Sequence, residues 1–165
     1  MKNLTIVLLV ALLGNVSICL SQVIVSERTD MQYDRQVFGV GVSVGPIDGS
    51  GISFRHHLLV PFSYTLNAGV IKVDENLHYA LGADLEYDLA RSMNGRYFVV
   101  LGFGYYYSGS TSVNEMNGPF RTGLGVGAEF AVNGPLHFSL MGAFTFFSDG
   151  TILPLPQIGI HYYFY

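Results

Sequence analysis

The chain has 165 residues, 50% of them hydrophobic and only 12% charged, where a soluble domain averages about 25% charged. Its net charge of −4 excludes the basic footprint of a nucleic-acid binder, and its apolar content excludes a disordered chain. With 20 Gly, 11 Tyr, 12 Phe and no Trp, it reads as one Gly- and aromatic-rich domain, too apolar for an ordinary soluble protein.

Residues 1–21 read as a secretory signal peptide. Lys2 supplies the positive start, Leu4 to Leu13 the apolar core, and Ser21 a small residue at the cleavage position. The rival readings are a membrane anchor helix, for which the apolar stretch is too short, and lipidation at Cys19, where Ile18 stands in place of a small residue. Cys19 is the one cysteine, so cleavage would remove every thiol and with them any disulfide framework. No later run reaches the roughly 18 apolar residues of a membrane-spanning helix.

Residues 22–35 are mostly polar and read as an N-terminal periplasmic lead; the remainder, 36–165, has a period of two. Five turn dipeptides punctuate it: Asp48-Gly49, Asn94-Gly95, Asn117-Gly118, Asn133-Gly134 and Asp149-Gly150. Between these and other breaks the pattern predicts eight strands, over 36–45, 50–58, 61–73, 77–90, 96–108, 120–132, 136–147 and 156–164. No segment carries a helical stripe of useful length.

Sorted by parity, the predicted strands show a large apolar face and a small or polar one, most clearly in the first, fourth, sixth and seventh. In the fourth, Leu77, Tyr79, Leu81, Leu85 and Tyr87 alternate with His78, Gly82, Asp84, Glu86 and Asp88; in the sixth, Leu124, Val126 and Phe130 alternate with Gly123, Gly125, Gly127 and Glu129. A soluble sandwich or barrel would turn the large face inward and leave glycines and carboxylates outside, where strand glycine lowers stability. The opposite solution, large residues toward lipid and small or charged ones in a narrow lumen, fits better. The fold class expected is therefore all-β, an eight-stranded antiparallel up-and-down transmembrane β-barrel. Tyr and Phe near strand ends suit interfacial girdles. Short turns at 58–61, 90–96 and 132–136 would be periplasmic, and the longer 108–119 and 148–155 would face outward.

Six charged residues fall on lumen faces and are the ion-pair candidates: Arg55, Asp84, Glu86, Asp88, Arg121 and Glu129. Charges in so narrow an interior must pair or hold water. A carboxylate row could ligate Ca²⁺, but groups about 7 Å apart along one strand do not converge without help from elsewhere. Inward His137, Ser139 and His161 invite a Ser–His hydrolase reading, although spacing does not place Ser139 beside a base. His56 and His57 fall one on each face at a rim. Gly102-Phe103-Gly104 and Gly125-Val126-Gly127 lack the following helix of a nucleotide loop; their expected role is to make room for side chains such as Phe98 and Tyr106.

The chain ends in Ile158-Gly159-Ile160-His161-Tyr162-Tyr163-Phe164-Tyr165. Gly159, Tyr162 and Phe164 resemble the C-terminal assembly signal of bacterial outer-membrane barrels, with two departures: Ile158 where a polar residue is usual, and Tyr165 after the Phe. With the signal peptide and the eight strands, the chain resembles small outer-membrane barrels of the OmpA/OmpX-like type. The resemblance implies a bacterial outer-membrane location, contacts with outer-membrane lipid, periplasmic chaperones and the barrel-assembly machinery, a monomer, no cofactor or metal, and no appended peptidoglycan-binding domain. The role expected is structural or surface interaction with a plugged lumen. A narrow pore is the alternative, and a lipid-modifying enzyme a more distant one.

Overall fold

The computed structural model describes residues 36–73, 76–92, 94–110 and 114–164; the expected signal peptide, 1–21, and the expected N-terminal lead, 22–35, lie outside the described residues. Eight strands pair in chain order and close as an antiparallel barrel: β1 (Val37–Val44), β2 (Ser50–His57), β3 (Phe62–Val73), β4 (Asn76–Ser92), β5 (Gly95–Gly109), β6 (Phe120–Asn133), β7 (Leu136–Phe147) and β8 (Ile152–Phe164). The seam joins β1 to β8, from Phe38 opposite Phe164 to Val44 opposite Ile158. Closure leaves no strand unpaired along the whole circumference at this end, which removes the open edge that a lone sheet would expose.

The alternating pattern settles the faces. Ile52, Leu66, Leu81, Leu124, Leu140 and Ile160 point outward and are exposed, while Arg55, Glu86, Arg96, Glu129, His137 and His161 point inward and are buried. At Ile52 and Val70 the exposure reaches 70%, so the large apolar residues are not filling a core. Lys72, near the end of β3, is the one charged side chain on the outward register of the described strands. Outward aromatic pairs gather toward the two ends: Phe62 with Tyr87 and Tyr97 with Phe130 at one, Tyr79 with Tyr105 and Tyr105 with Phe120 at the other.

One end carries the short β2–β3, β4–β5 and β6–β7 connections, and the other the β1–β2, β3–β4, β5–β6 and β7–β8 connections. Of the five turn dipeptides, four place their glycine at positive φ, between 55° at Gly134 and 101° at Gly49, where a Cβ is disfavoured; Gly95 instead begins β5. In the 148–151 turn the Thr151 amide donates to Asp149 Oδ1 at 2.9 Å, and that bond holds the exposed carboxyl below its usual range.

Two departures from the expected boundaries have local causes. β8 begins at Ile152 rather than 156 despite Pro154 and Pro156. Over 152–157 it pairs only with β7, because β1 stops at Val44, and a free edge tolerates a residue with no N–H. β4 runs to Ser92, past 90, through a bulge between Asp88 and Ala90, which absorbs one extra residue and carries the pairing on to the turn.

Candidate functional site

The barrel interior is the candidate site, and it has two levels. The level nearer the short turns is an ion-pair network drawn from β2 to β8. Arg96 is its centre: Nη1 donates to Asp88 Oδ1 at 2.7 Å and to Ser63 Oγ at 2.8 Å, Nη2 to Glu129 Oε2 at 2.7 Å, and Nη2 also to Glu86. Arg55 reaches Glu86 Oε1 at 3.0 Å and Glu129 Oε2 at 2.8 Å, and its Nε donates to Thr65. His137 Nδ1 sits 3.1 Å from Glu129 Oε1, and Arg91 closes the group on Asp88 at 2.6 Å. Charges removed from water this completely need a partner on every face, and each carboxylate here has two or more.

Tyr163 roofs this network. Its hydroxyl is 2.8 Å from His57 Nε2, its ring meets His137 edge-on at 4.6 Å, and it occupies the space left by Gly39, where a Cβ would stand 2.6 Å from the ring.

The second level is a plug. The turn Gly45-Pro46-Ile47-Asp48-Gly49, closed by a Gly45 N–H to Gly49 O bond of 3.1 Å, does not project beyond the wall; Ile47 and Asp48 are completely buried. It lies against Gly82 and Gly104, a cross-strand pair, while β4 runs on to Asn76 and β5 to Gly109. Any Cβ on Gly82 would overlap the Asp48 backbone, on Gly104 the Ile47 carbonyl, and on Gly123 the Ile47 side chain. The inward glycines of β4, β5 and β6 therefore make a cradle for the β1–β2 turn. Gly127 makes room for Phe98, as the sequence predicts, whereas Gly102, Gly104 and Gly123 face Ile47 of the β1–β2 turn, a contact between distant segments that strand parity does not reveal. Tyr106 donates its hydroxyl to Gly45 O at 2.8 Å, and Asn67 its amide to Gly49 O at 2.8 Å.

Arg55, Glu86, Asp88 and Glu129 thus stand in one network. Arg121 does not join it. It lies eight residues from Glu129 on the same strand, roughly 26 Å away, with its guanidinium 3.7 Å over the Tyr106 ring and Nη1 3.3 Å from Pro46 O. As an ion-pair candidate Arg121 is therefore a correction: at that distance it does not meet Glu129, and it clamps the plug instead. Asp84 also stands apart, accepting from Gln157 Nε2 at 3.1 Å. Arg96 was missed. It abuts the Asn94-Gly95 turn, and β5 is apolar on both faces, so its parity is hidden; its register with Gly102 and Gly104 was the available signal.

The His137, Ser139 and His161 trio is not assembled. His161 Nε2 meets Ser53 Oγ at 2.9 Å, whereas Ser139 donates to the Gly159 carbonyl at 3.4 Å. His161 Nδ1 has no hydrogen-bond partner that would orient the ring as a base. His56 faces outward, stacked on Phe38 at 4.2 Å. Of the residues expected to form an assembly signal, Tyr162 and Phe164 are exposed on the outer wall and Gly159 faces in against Ser139.

The cradle makes a sharp expectation. Gly104→Val should force Ile47 and its turn out of the lumen, at a cost of about 1–3 kcal/mol. It should be read as a lower urea midpoint and as new cleavage before Asp48 by an aspartate-directed protease. Gly142→Val, where an added Cβ meets nothing within 4 Å, is the control and should leave both unchanged.

No protein-family model and no curated protein matches the chain. Among solved structures it is similar to the Yersinia pestis outer membrane protein Ail in a phospholipid bilayer nanodisc, at 11% identity and a TM-score of 0.44, covering 78% of this chain and 98% of that one. The fold itself rests on the strand pairing above.

Proposed function

We propose that this chain is a bacterial outer-membrane β-barrel with a sealed lumen and a structural or surface-interaction role. The observation that carries this reading is the inverted polarity of the wall: the outward face is dominated by exposed large apolar residues, with aromatic residues toward both rims and Lys72 near a strand end as its one charge among the described strands, and the other strand charges are inside. In water such a surface would drive aggregation; in lipid it is the stable arrangement, because closure of β1 on β8 pairs the backbone that an open sheet would leave bare. The Arg55–Arg96 network and the β1–β2 plug block the interior at two successive levels, which favours a seal over a pore.

In this reading residues 1–21 direct export, the short turns are periplasmic, and Gly159, Tyr162 and Phe164 are what the assembly machinery recognises. The barrel is a monomer with lipid as its main contact, and its long-loop end meets any surface partner. Expression in a Gram-negative host followed by fractionation is the test. The expected result is a detergent-extracted outer-membrane protein whose gel mobility shifts on heating, and which gives no unitary steps in a planar bilayer. Recovery from the soluble fraction without detergent overturns the membrane reading, and stable unitary conductance overturns the seal.

A further inference from the structure

The ion-pair network is balanced: Arg55, Arg91 and Arg96 stand against Glu86, Asp88 and Glu129. Asp48 and Asp84 are left over. Both are buried, at 0% and 2% exposure, and their carboxylates are neighbours, Asp48 seated against Gly82 and Asp84 against Gly102. Neither forms an ion pair with an arginine or lysine among the described residues. Both oxygens of Asp48 and Oδ1 of Asp84 lack any hydrogen-bond donor.

Two further acceptors belong to the same place. Asn67, whose side chain stands beside Asp48, spends its amide N–H on Ser43 and Gly49 while its Oδ1 has no partner. Gln157 donates to Asp84 while its Oε1 has none. Both side chains are more than nine-tenths buried. The result is five oxygens without a hydrogen-bond partner, drawn from β3, β4, β8 and the plug and including those of two carboxyl groups. Buried acceptors without donors are strongly disfavoured. A single proton shared by the two aspartates would bridge two of these oxygens and leave three unanswered. A hard divalent cation accepts all-oxygen sets of six to eight ligands in irregular geometry, and it balances the charge. No group of three or more His, Cys, Asp or Glu is placed to hold a metal among the described residues; this set has two carboxylates, and amide oxygens complete it.

We propose that Asp48, Asp84, Asn67 and Gln157 form a Ca²⁺ site that fastens the β1–β2 plug to the barrel wall. The site follows from the plug alone and does not depend on where the barrel resides. Occupancy ties one turn to three strands, so bound Ca²⁺ stabilises the folded state by mass action.

The test uses the folded, purified protein in a non-ionic detergent, with the heat-dependent gel shift confirming the barrel separately. Urea unfolding is compared in EDTA, in CaCl₂ and in choline chloride of matched ionic strength. At Ca²⁺ about ten times the dissociation constant, the folded-to-unfolded ratio should rise about tenfold over EDTA. That rise should vanish in Asp48→Asn and in Asp84→Asn. An unchanged wild-type midpoint overturns the site and leaves the aspartates sharing a proton; a Ca²⁺ response that survives in both variants also overturns it, because the ion then binds elsewhere. Should the variants not fold, Tb³⁺ titration of the wild type decides: tyrosine-sensitised emission saturating near one equivalent and displaced by Ca²⁺ supports the site, and its absence overturns it.

Discussion

Deleting residues 162–165 is expected to abolish assembly, leaving a processed chain that is degraded or aggregated rather than inserted. Three of the seven β1–β8 pairs are lost with Tyr162, Tyr163 and Phe164. The barrel then opens at the seam, where each backbone group bared to hydrocarbon costs several kcal/mol. The same deletion removes Tyr163, which fills the space beside Gly39 and hydrogen-bonds His57, and the outward Tyr162–Phe164 pair, whose rings meet at 5.4 Å. Phe164→Ala alone should lower the yield of inserted barrel without abolishing it, since it takes away one exposed ring and no pairing. The measurement is the amount of heat-modifiable protein in the membrane fraction. Equal amounts from the deleted and intact chains would refute both the seam and the assembly signal.

Arg96→Ala is expected to be the most damaging single substitution inside the lumen. Removing one partner of a buried ion pair typically costs about 3–5 kcal/mol, and Arg96 serves Glu86, Asp88 and Glu129 at once, which puts it at the upper end. Arg55 already serves two of those carboxylates and has no reach left for Asp88. The loss should show as a lower urea midpoint with an unchanged slope. Arg121→Ala is the comparison. It surrenders stacking on Tyr106 and Phe147 and one bond to Pro46 but strands no carboxylate, so about 0.5–2 kcal/mol is expected. A ranking in which Arg121→Ala costs as much as Arg96→Ala would contradict the network described here.

The strand pattern was readable because alternation along a strand is a local property. Leu85 out and Glu86 in follows from neighbouring residues alone, and a chain with eight such segments and few outward charges has one stable way to close. For the same reason Arg55, Glu86, Asp88 and Glu129 could be assigned to the interior from residue parity. Depth could not be. Parity tells which face a side chain takes, and only the stagger between strands tells which others it meets. That stagger parted Arg121 from Glu129 and brought Arg96 from a turn-flanked position into the centre of the carboxylates. It also carried the β1–β2 turn below the ends of β4 and β5, where Gly82, Gly104 and Gly123 hold it and Asp48 comes to lie beside Asp84. Local alternation therefore determined the barrel and its inverted polarity. The pairing register, a sum of cross-strand contacts among residues far apart in the chain, decided which charges neutralise one another and what closes the lumen.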